Sequence, residues 1–102
     1  IARQNDSATI HVPAVTLDDY WARHFPDSSI SVLKIDVEGA DTLVLQGARK
    51  LLEAQRIGHV FFEVNPPRME RLGILPHQAP ELLAACGYRM EQIAPNEFHA
   101  YL

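Results

Sequence analysis

Residues 30–39, Ile-Ser-Val-Leu-Lys-Ile-Asp-Val-Glu-Gly, constrain the fold more than any other stretch of this chain. An apolar run stops on two carboxylates, Asp36 and Glu38, and a helical pattern opens just beyond Gly39. A strand with so little polar alternation is expected to be covered on both faces, as strands inside an open α/β sheet are. Such sheets bind ligands in the crevice outside the carboxyl ends of their strands. Acidic side chains placed where the strand stops therefore point to a site. Gly39 is expected to supply a backbone angle that other residues resist.

The flanking patterns support the same class. Residues 1–8 are polar and expected to be disordered. Residues 9–15 read as a short strand, at an edge because Pro13 cannot donate to a ladder. Thr16 has the character of an N-cap, with Asp19 three positions on, for a helix running to His24. Pro26-Asp27-Ser28-Ser29 reads as a turn, and residues 31–37 as the second strand. From Ala40, Leu43, Val44, Ala48, Leu51 and Leu52 recur on one helical face. Asp41 and the later Arg49-Lys50 suit the helix dipole, and Gly47 either interrupts the helix or lets it pack closely.

Residues 59–64 form a third, nearly all-apolar strand, ended by Asn65-Pro66-Pro67. Residues 68–77 read as a loop with at most one helical turn. Residues 80–86 read as a helix, with a proline in its first turn and Gly87 as its stop. Residues 88–93 and 97–102 are short enough in their connection to form an antiparallel hairpin. Strands alternating with helices predict an α/β domain with a mainly parallel sheet ending in an antiparallel hairpin.

With 102 residues the chain holds one domain, and 47% apolar residues exclude a disordered chain. The net charge is −4 and no basic stripe exists, which argues against nucleic acid and against a membrane surface as partners. No apolar stretch approaches the ~20 residues of a membrane span, and the start lacks a signal-peptide pattern. The chain opens on Ile1 with no Met, which reads as a processed, excised or incomplete chain. Cys86 is the only cysteine, so no internal disulfide forms and a reducing, cytoplasmic setting is expected. Its neighbours Leu82-Leu83-Ala84-Ala85 favour packing over reactivity.

Asp36 and Glu38 can accept hydrogen bonds from a ligand, act as a base or hold a hard cation. The structural alternatives are that Glu38 caps the following helix and that Asp36 ties a loop amide. Lys34 either pairs with a buried carboxylate or sits at a sheet edge with its ammonium in water. Glu63 ends the next apolar strand; if the two strands are neighbours, it shares a crevice with Asp36, and otherwise it is a salt-bridge residue. Asn65-Pro66-Pro67 is similar to the Asn-Pro-Pro-aromatic loop of amino-group methyltransferases, but Arg68 stands where that loop has its aromatic. Asn65 and His77 are the candidates for substrate contacts. The histidines (His11, His24, His59, His77, His99) lack metal-ligand spacing, so no metal is expected. No Gly-x-Gly occurs, and with it no complete nucleotide or cofactor cradle.

Lys34-Ile35-Asp36-Val37-Glu38-Gly39-Ala40-Asp41, followed by Val44-Leu45-Gln46-Gly47-Ala48, resembles the FkbM-type methyltransferase family. Thr16-Leu17-Asp18, Phe62-Glu63-Val64 and the late Leu82-Leu83 with Gly87-Tyr88 fit it in order, from about Val12 to the C-terminus. Asp41 departs from the usual Glu, keeping the acid with a shorter reach. The resemblance implies a Rossmann-like fold that uses S-adenosylmethionine to methylate, commonly at hydroxyls. It also implies a glycine-rich first strand turn and an acid ending the second strand, and this sequence contains neither. The chain then corresponds to the C-terminal half of the domain, from the fourth strand onward.

In that frame Asp36 lies against the cofactor, with Gly39 beside it, and orients or deprotonates the methyl acceptor. Glu38 and Glu63 assist or shape the pocket. Half a parallel sheet leaves the flank of the 31–37 strand unpaired, which invites a homodimer or a longer native chain. The isolated chain is expected to turn over nothing. Two other readings compete. One is a non-catalytic binding or assembly module that keeps the half-fold. The other is a metal-assisted phosphatase, since Asp36-Val37-Glu38 superficially resembles the Asp-x-Asp loop of haloacid dehalogenase-type enzymes. That family also needs a downstream lysine, and none follows Leu52.

Overall fold

Hydrophobic periodicity and caps place most elements where the sequence puts them. The computed structural model describes residues 14–102 and the backbone of Arg3–Gln4 and Thr9–Ile10. β1 (Arg3–Gln4) and β2 (Thr9–Ile10) pair antiparallel. The expected 9–15 strand is thus short: Ala14 and Val15 lie outside any strand, and Pro13 lies outside the described residues. Of the stretch expected to be disordered, Arg3–Gln4 is strand and the rest lies outside the described residues.

α1 (Leu17–His24) starts at Thr16, whose hydroxyl accepts the Asp19 amide at 3.1 Å. The cap satisfies one of the four N–H groups a helix start leaves open. After a turn at Pro26-Asp27 comes β3 (Ile30–Lys34), which stops short of the expected Val37.

The main sheet has four strands, ordered β3-β4-β6-β5, with β4 at Ile57–Glu63, β5 at Arg89–Ala94 and β6 at Glu97–Tyr101. β3 and β4 run parallel, whereas β4–β6 and β6–β5 are antiparallel. The sheet is therefore mixed: β3, β4 and β5 point one way and β6 points the other. The reason is local: the turn at Pro95-Asn96, with Asn96 at φ +65°, folds the hairpin back, and its second strand docks on β4. β3 is an edge strand, and Ser31, Val32 and Lys34 are exposed. The expectation that both its faces are covered does not hold: the face that carries Val32 and Lys34 is exposed. Lys34 takes the sheet-edge alternative, with its side chain in solvent.

The expected helix from Ala40 to Leu52 is two, α2 (Asp41–Gln46) and α3 (Arg49–Glu53), broken at Gly47-Ala48. Both readings of Gly47 hold. It ends α2, and a Cβ there would sit 3.3 Å from the Thr16 Cβ. Leu43 is 50% exposed, and Leu45 takes the buried place expected of it. α4 (Pro66–Arg71) takes the first four residues of the stretch expected as loop over 68–77, and residues 72–77 are turn and loop as expected. Its two prolines occupy the first helical positions, where a missing N–H costs nothing and the fixed φ suits the helix. α5 (Gln78–Ala85) packs against α2 and ends before Gly87, at φ +91°.

The core joins Leu45 and Leu52 from α2 and α3, Ile57, Val60 and Phe62 from β4, Leu83 from α5 and Ala100 from β6. Burying such a side chain stabilises the fold by about 1.5–3 kcal/mol. Cys86 and Tyr88 close the lower margin of this core, and the Tyr88 hydroxyl donates to the Ile57 carbonyl. Burial pushes the Cys86 thiol up, helped by the Glu53 charge and opposed by Arg49. A raised thiol pKa favours the protonated form. Its contribution to stability is present below the ordinary thiol range and is lost as pH rises through the raised value. At pH 8, Cys86 in the folded chain is expected to react at least about tenfold slower than in urea. Labelling at equal rates in the two conditions would contradict this burial.

Candidate functional site

The parallel pairing of β3 and β4 puts their carboxyl ends side by side. Lys34 is the register partner of Phe61, and the Ile35 amide donates to the Phe61 carbonyl at 2.9 Å. Continuing that register brings Asp36 level with Glu63. β6 runs the opposite way, so its first residue arrives at the same end: Glu97 is the Cα partner of Glu63.

A cleft of about 500 Å³ opens there. Asp36, Glu63 and Glu97 line it together with Lys34, and Phe61, Phe62 and Phe98 form aromatic walls. Asp36 and Glu97 are exposed and Glu63 is half-buried. Three carboxylates face one ammonium, so the cleft carries an excess of negative charge. Phe61 is held from behind by His99, whose ring lies parallel at a centroid distance of 4.4 Å. His99 is fixed in turn by His59 at 2.9 Å and by Glu91 at 3.0 Å. One cleft wall therefore rests on a hydrogen-bonded chain crossing β4, β6 and β5.

The turn from β3 into α2 is tight. Glu38 and Gly39 both have positive φ, +46° and +96°, and the Ala40 amide donates to the Val37 carbonyl at 3.2 Å. Asp41 follows, only 1% exposed. Its Oδ1 accepts the Val37 amide at 3.2 Å and its Oδ2 accepts the Glu63 amide at 2.8 Å. Neither carboxylate oxygen is left unpaired, as a buried charge requires.

Of the six candidate site residues, Asp36 and Glu63 meet in the cleft, and Glu38, Gly39, Asn65 and His77 do not line it. Glu38 is exposed, and α2 begins at Ala40 with no side-chain cap, so Glu38 does not cap it. Asp36 does not tie the loop amide; Asp41 does. Gly39 is buried against α4, where a Cβ would come within 2.8 Å of the Arg68 Cβ. The Asn65 side chain caps α4 through the Arg68 amide at 3.4 Å. His77 precedes α5 and pairs at the surface with Glu81 at 3.2 Å. Sequence reasoning missed Glu97. The only available signal was that a hairpin returning beside β4 must start at the end where Glu63 stops. Among the described residues, no group of three His, Cys, Asp or Glu is arranged to hold a metal ion.

The model of the methyltransferase FkbM domain family matches residues 1–90. This chain belongs to that family. The match covers every segment that carries the resemblance, begins ahead of Val12 and stops inside β5, before Glu97. Neither a curated protein nor a solved structure matches the chain. The FkbM domain is here an α/β domain with a mixed sheet, and no helix among its described residues is long and apolar enough to cross a membrane.

Proposed function

We propose that this chain is the C-terminal half of a Rossmann-like, S-adenosylmethionine-dependent methyltransferase that acts at hydroxyl groups. The observation that carries the reading is the convergence of Asp36 and Glu63 at the ends of two parallel neighbouring strands, in a chain of the FkbM family. A parallel pair followed by an antiparallel hairpin is the arrangement that this half of the domain calls for. A cytoplasmic location belongs to the same reading, and the lone, buried Cys86 thiol suits it.

The residues present fit one side of the cofactor. S-adenosylmethionine supplies a methyl group on a positively charged sulfonium, and the excess of carboxylates in the cleft complements positive charge. Asp36 and Glu63 can also accept hydrogen bonds from hydroxyl or amino groups. With no Gly-x-Gly in the sequence, the remaining contacts come from outside residues 1–102. Asp36, exposed at the cleft mouth, accepts the proton of the acceptor hydroxyl on a carboxylate oxygen and orients that hydroxyl. Glu63, half-buried beside it, fixes the far side of the acceptor. Phe61 and Phe98 keep the floor dry.

Titration calorimetry with S-adenosylhomocysteine tests this reading. Saturable binding would mean that enough of the crevice stands within residues 1–102, and Asp36→Ala is then expected to weaken it about tenfold or more, since a hydrogen bond to a charged group contributes about 1.5–3 kcal/mol. Saturable binding that Asp36→Ala leaves unchanged would remove the cofactor role from Asp36; a folded chain that shows no saturation would mean that the site needs contacts from outside residues 1–102, and that this chain by itself is a fragment or a scaffold. The same reading assigns a partner to the free flank of β3, either the same strand of a second copy or the other half of the domain. Light scattering on a size-exclusion column is expected to show a dimer; a stable monomer counts against pairing at that edge.

A further inference from the structure

We infer that Asp41 is a positioning residue, a buried carboxylate that sets the distance between the two acids of the cleft. The inference rests on the methyltransferase reading of Asp36 and Glu63. Asp41 itself does not line the cleft. It acts through two backbone amides. The Val37 N–H belongs to the peptide unit that joins Asp36 to Val37, and the Glu63 N–H to the unit that joins Phe62 to Glu63. One carboxylate holds both, at 3.2 Å and 2.8 Å. Asp41 therefore clamps the end of β3 to the end of β4 at the level where the strand ladder has already stopped.

Nothing else in the described geometry does this job. The β3–β4 pairing ends at Lys34 and Phe61, and the last amide bond across it is Ile35 to Phe61. Beyond that point the β3 chain enters a turn with two positive-φ residues, packed through Gly39 against α4 but tied to β4, among the described residues, by no other hydrogen bond. Among the described residues, β3 also has no strand on its outer side to hold it. Asp41 is placed for the task by the turn itself, which delivers it as the first residue of α2 with its side chain facing inward, 1% exposed. Its position in the family motif then has a physical reason. An acid there organises the site from behind and need not touch a ligand.

The chemistry of the group makes the idea testable. Asn has the same shape as Asp but one acceptor oxygen, and its amide nitrogen would face an N–H donor. Asp41→Asn can satisfy one strand end only. Asp41→Glu keeps two acceptor oxygens on a longer arm. Amide hydrogen exchange by NMR on the 102-residue chain reads the clamp directly. In Asp41→Asn, exchange at Val37 or Glu63, or at both, is expected to speed up roughly ten- to hundredfold, while Val60 and Leu52 in the core change little. Asp41→Glu is expected to restore slow exchange at both amides. The S-adenosylhomocysteine affinity should fall and recover in the same order.

Uniformly faster exchange across the core in Asp41→Asn would make Asp41 a stability residue and overturn the positioning role. Unchanged exchange at Val37 and Glu63 would overturn the clamp. If Asp41→Asn does not fold, the unaltered chain still decides: a scalar coupling across the hydrogen bond, from the Glu63 amide nitrogen to the Asp41 carboxylate carbon, is expected, and its absence overturns the clamp. Selective exchange changes together with an S-adenosylhomocysteine affinity that Asp36→Ala leaves unchanged would leave the clamp standing and the cofactor reading fallen.

Discussion

Gly39→Ala is expected to destabilise the chain by about 2–5 kcal/mol, read as a lower urea midpoint at unchanged slope. Two costs add. At φ +96°, an L side chain is strained by about 1–2 kcal/mol. The new Cβ would also sit 2.8 Å from the Arg68 Cβ and 3.2 Å from the Arg68 carbonyl carbon, so backbone as well as side chain must move. Forcing an extra methyl into a filled space costs about 1–3 kcal/mol. The prediction separates two accounts of the same glycine. If Gly39 were kept small so that a cofactor can approach the backbone, the alanine would leave stability nearly unchanged and only ligand binding would fall. The contact with α4 says the opposite: the glycine is there because the β3–α2 turn and α4 lie against each other. Glu38→Gly is a useful companion, since Glu38 also has a positive φ, +46°, but is exposed; relief of strain there should stabilise slightly.

That contrast shows where the sequence was informative. The apolar runs at β3 and β4, the Thr16 cap and the hairpin at Ala94-Pro95-Asn96 are local signals, and each produced an element close to where it was expected. The α/β class followed from their alternation. The sheet order did not, because it depends on which hairpin strand docks on β4, and both read alike in sequence. Two-sided burial of β3 was misread because an apolar run reports the environment a strand is suited to, while exposure at Val32 depends on whether another element packs over that face of the sheet. In the site, Asp36 and Glu63 were legible as acids at strand ends. Gly39 and Asn65 both meet α4, and a residue's type does not say whether it faces a ligand or a neighbouring helix. Asp41 looked like a first-turn acid suited to the dipole. Its partner at Glu63 is 22 residues away and appears only when β3 and β4 are side by side.

Asp18→Ala is expected to cost about 2–3 kcal/mol, or roughly a 10 °C fall in melting temperature for a domain of this size. α3 starts at Ala48, a cap residue with no side-chain acceptor, so its first amides have no local partner. Asp18 supplies one from α1, across more than thirty residues of chain. Its Oδ2 accepts the Lys50 amide at 2.9 Å and its Oδ1 accepts the Leu51 amide at 3.0 Å. The Asp18 amide donates in return to the Gly47 carbonyl at 2.9 Å, at the break that α3 follows. A negative charge at a helix start is favoured by the dipole, and removing both acceptors strands one amide, that of Leu51, beside the core. α3 carries Leu51 and Leu52, so loosening its first turn weakens the contacts these residues make with the sheet. Asp18→Asn should cost less, since its oxygen still serves one amide. Asp19→Ala, whose side chain is exposed, should change stability by less than about 0.5 kcal/mol. Equal effects at the two neighbouring acids would show that only net charge matters and would sink the long-range cap. The expected asymmetry means that the Thr16-Leu17-Asp18 stretch, one of the segments that carry the family resemblance, holds α1 to the start of α3 and stands outside the chemistry of the cleft.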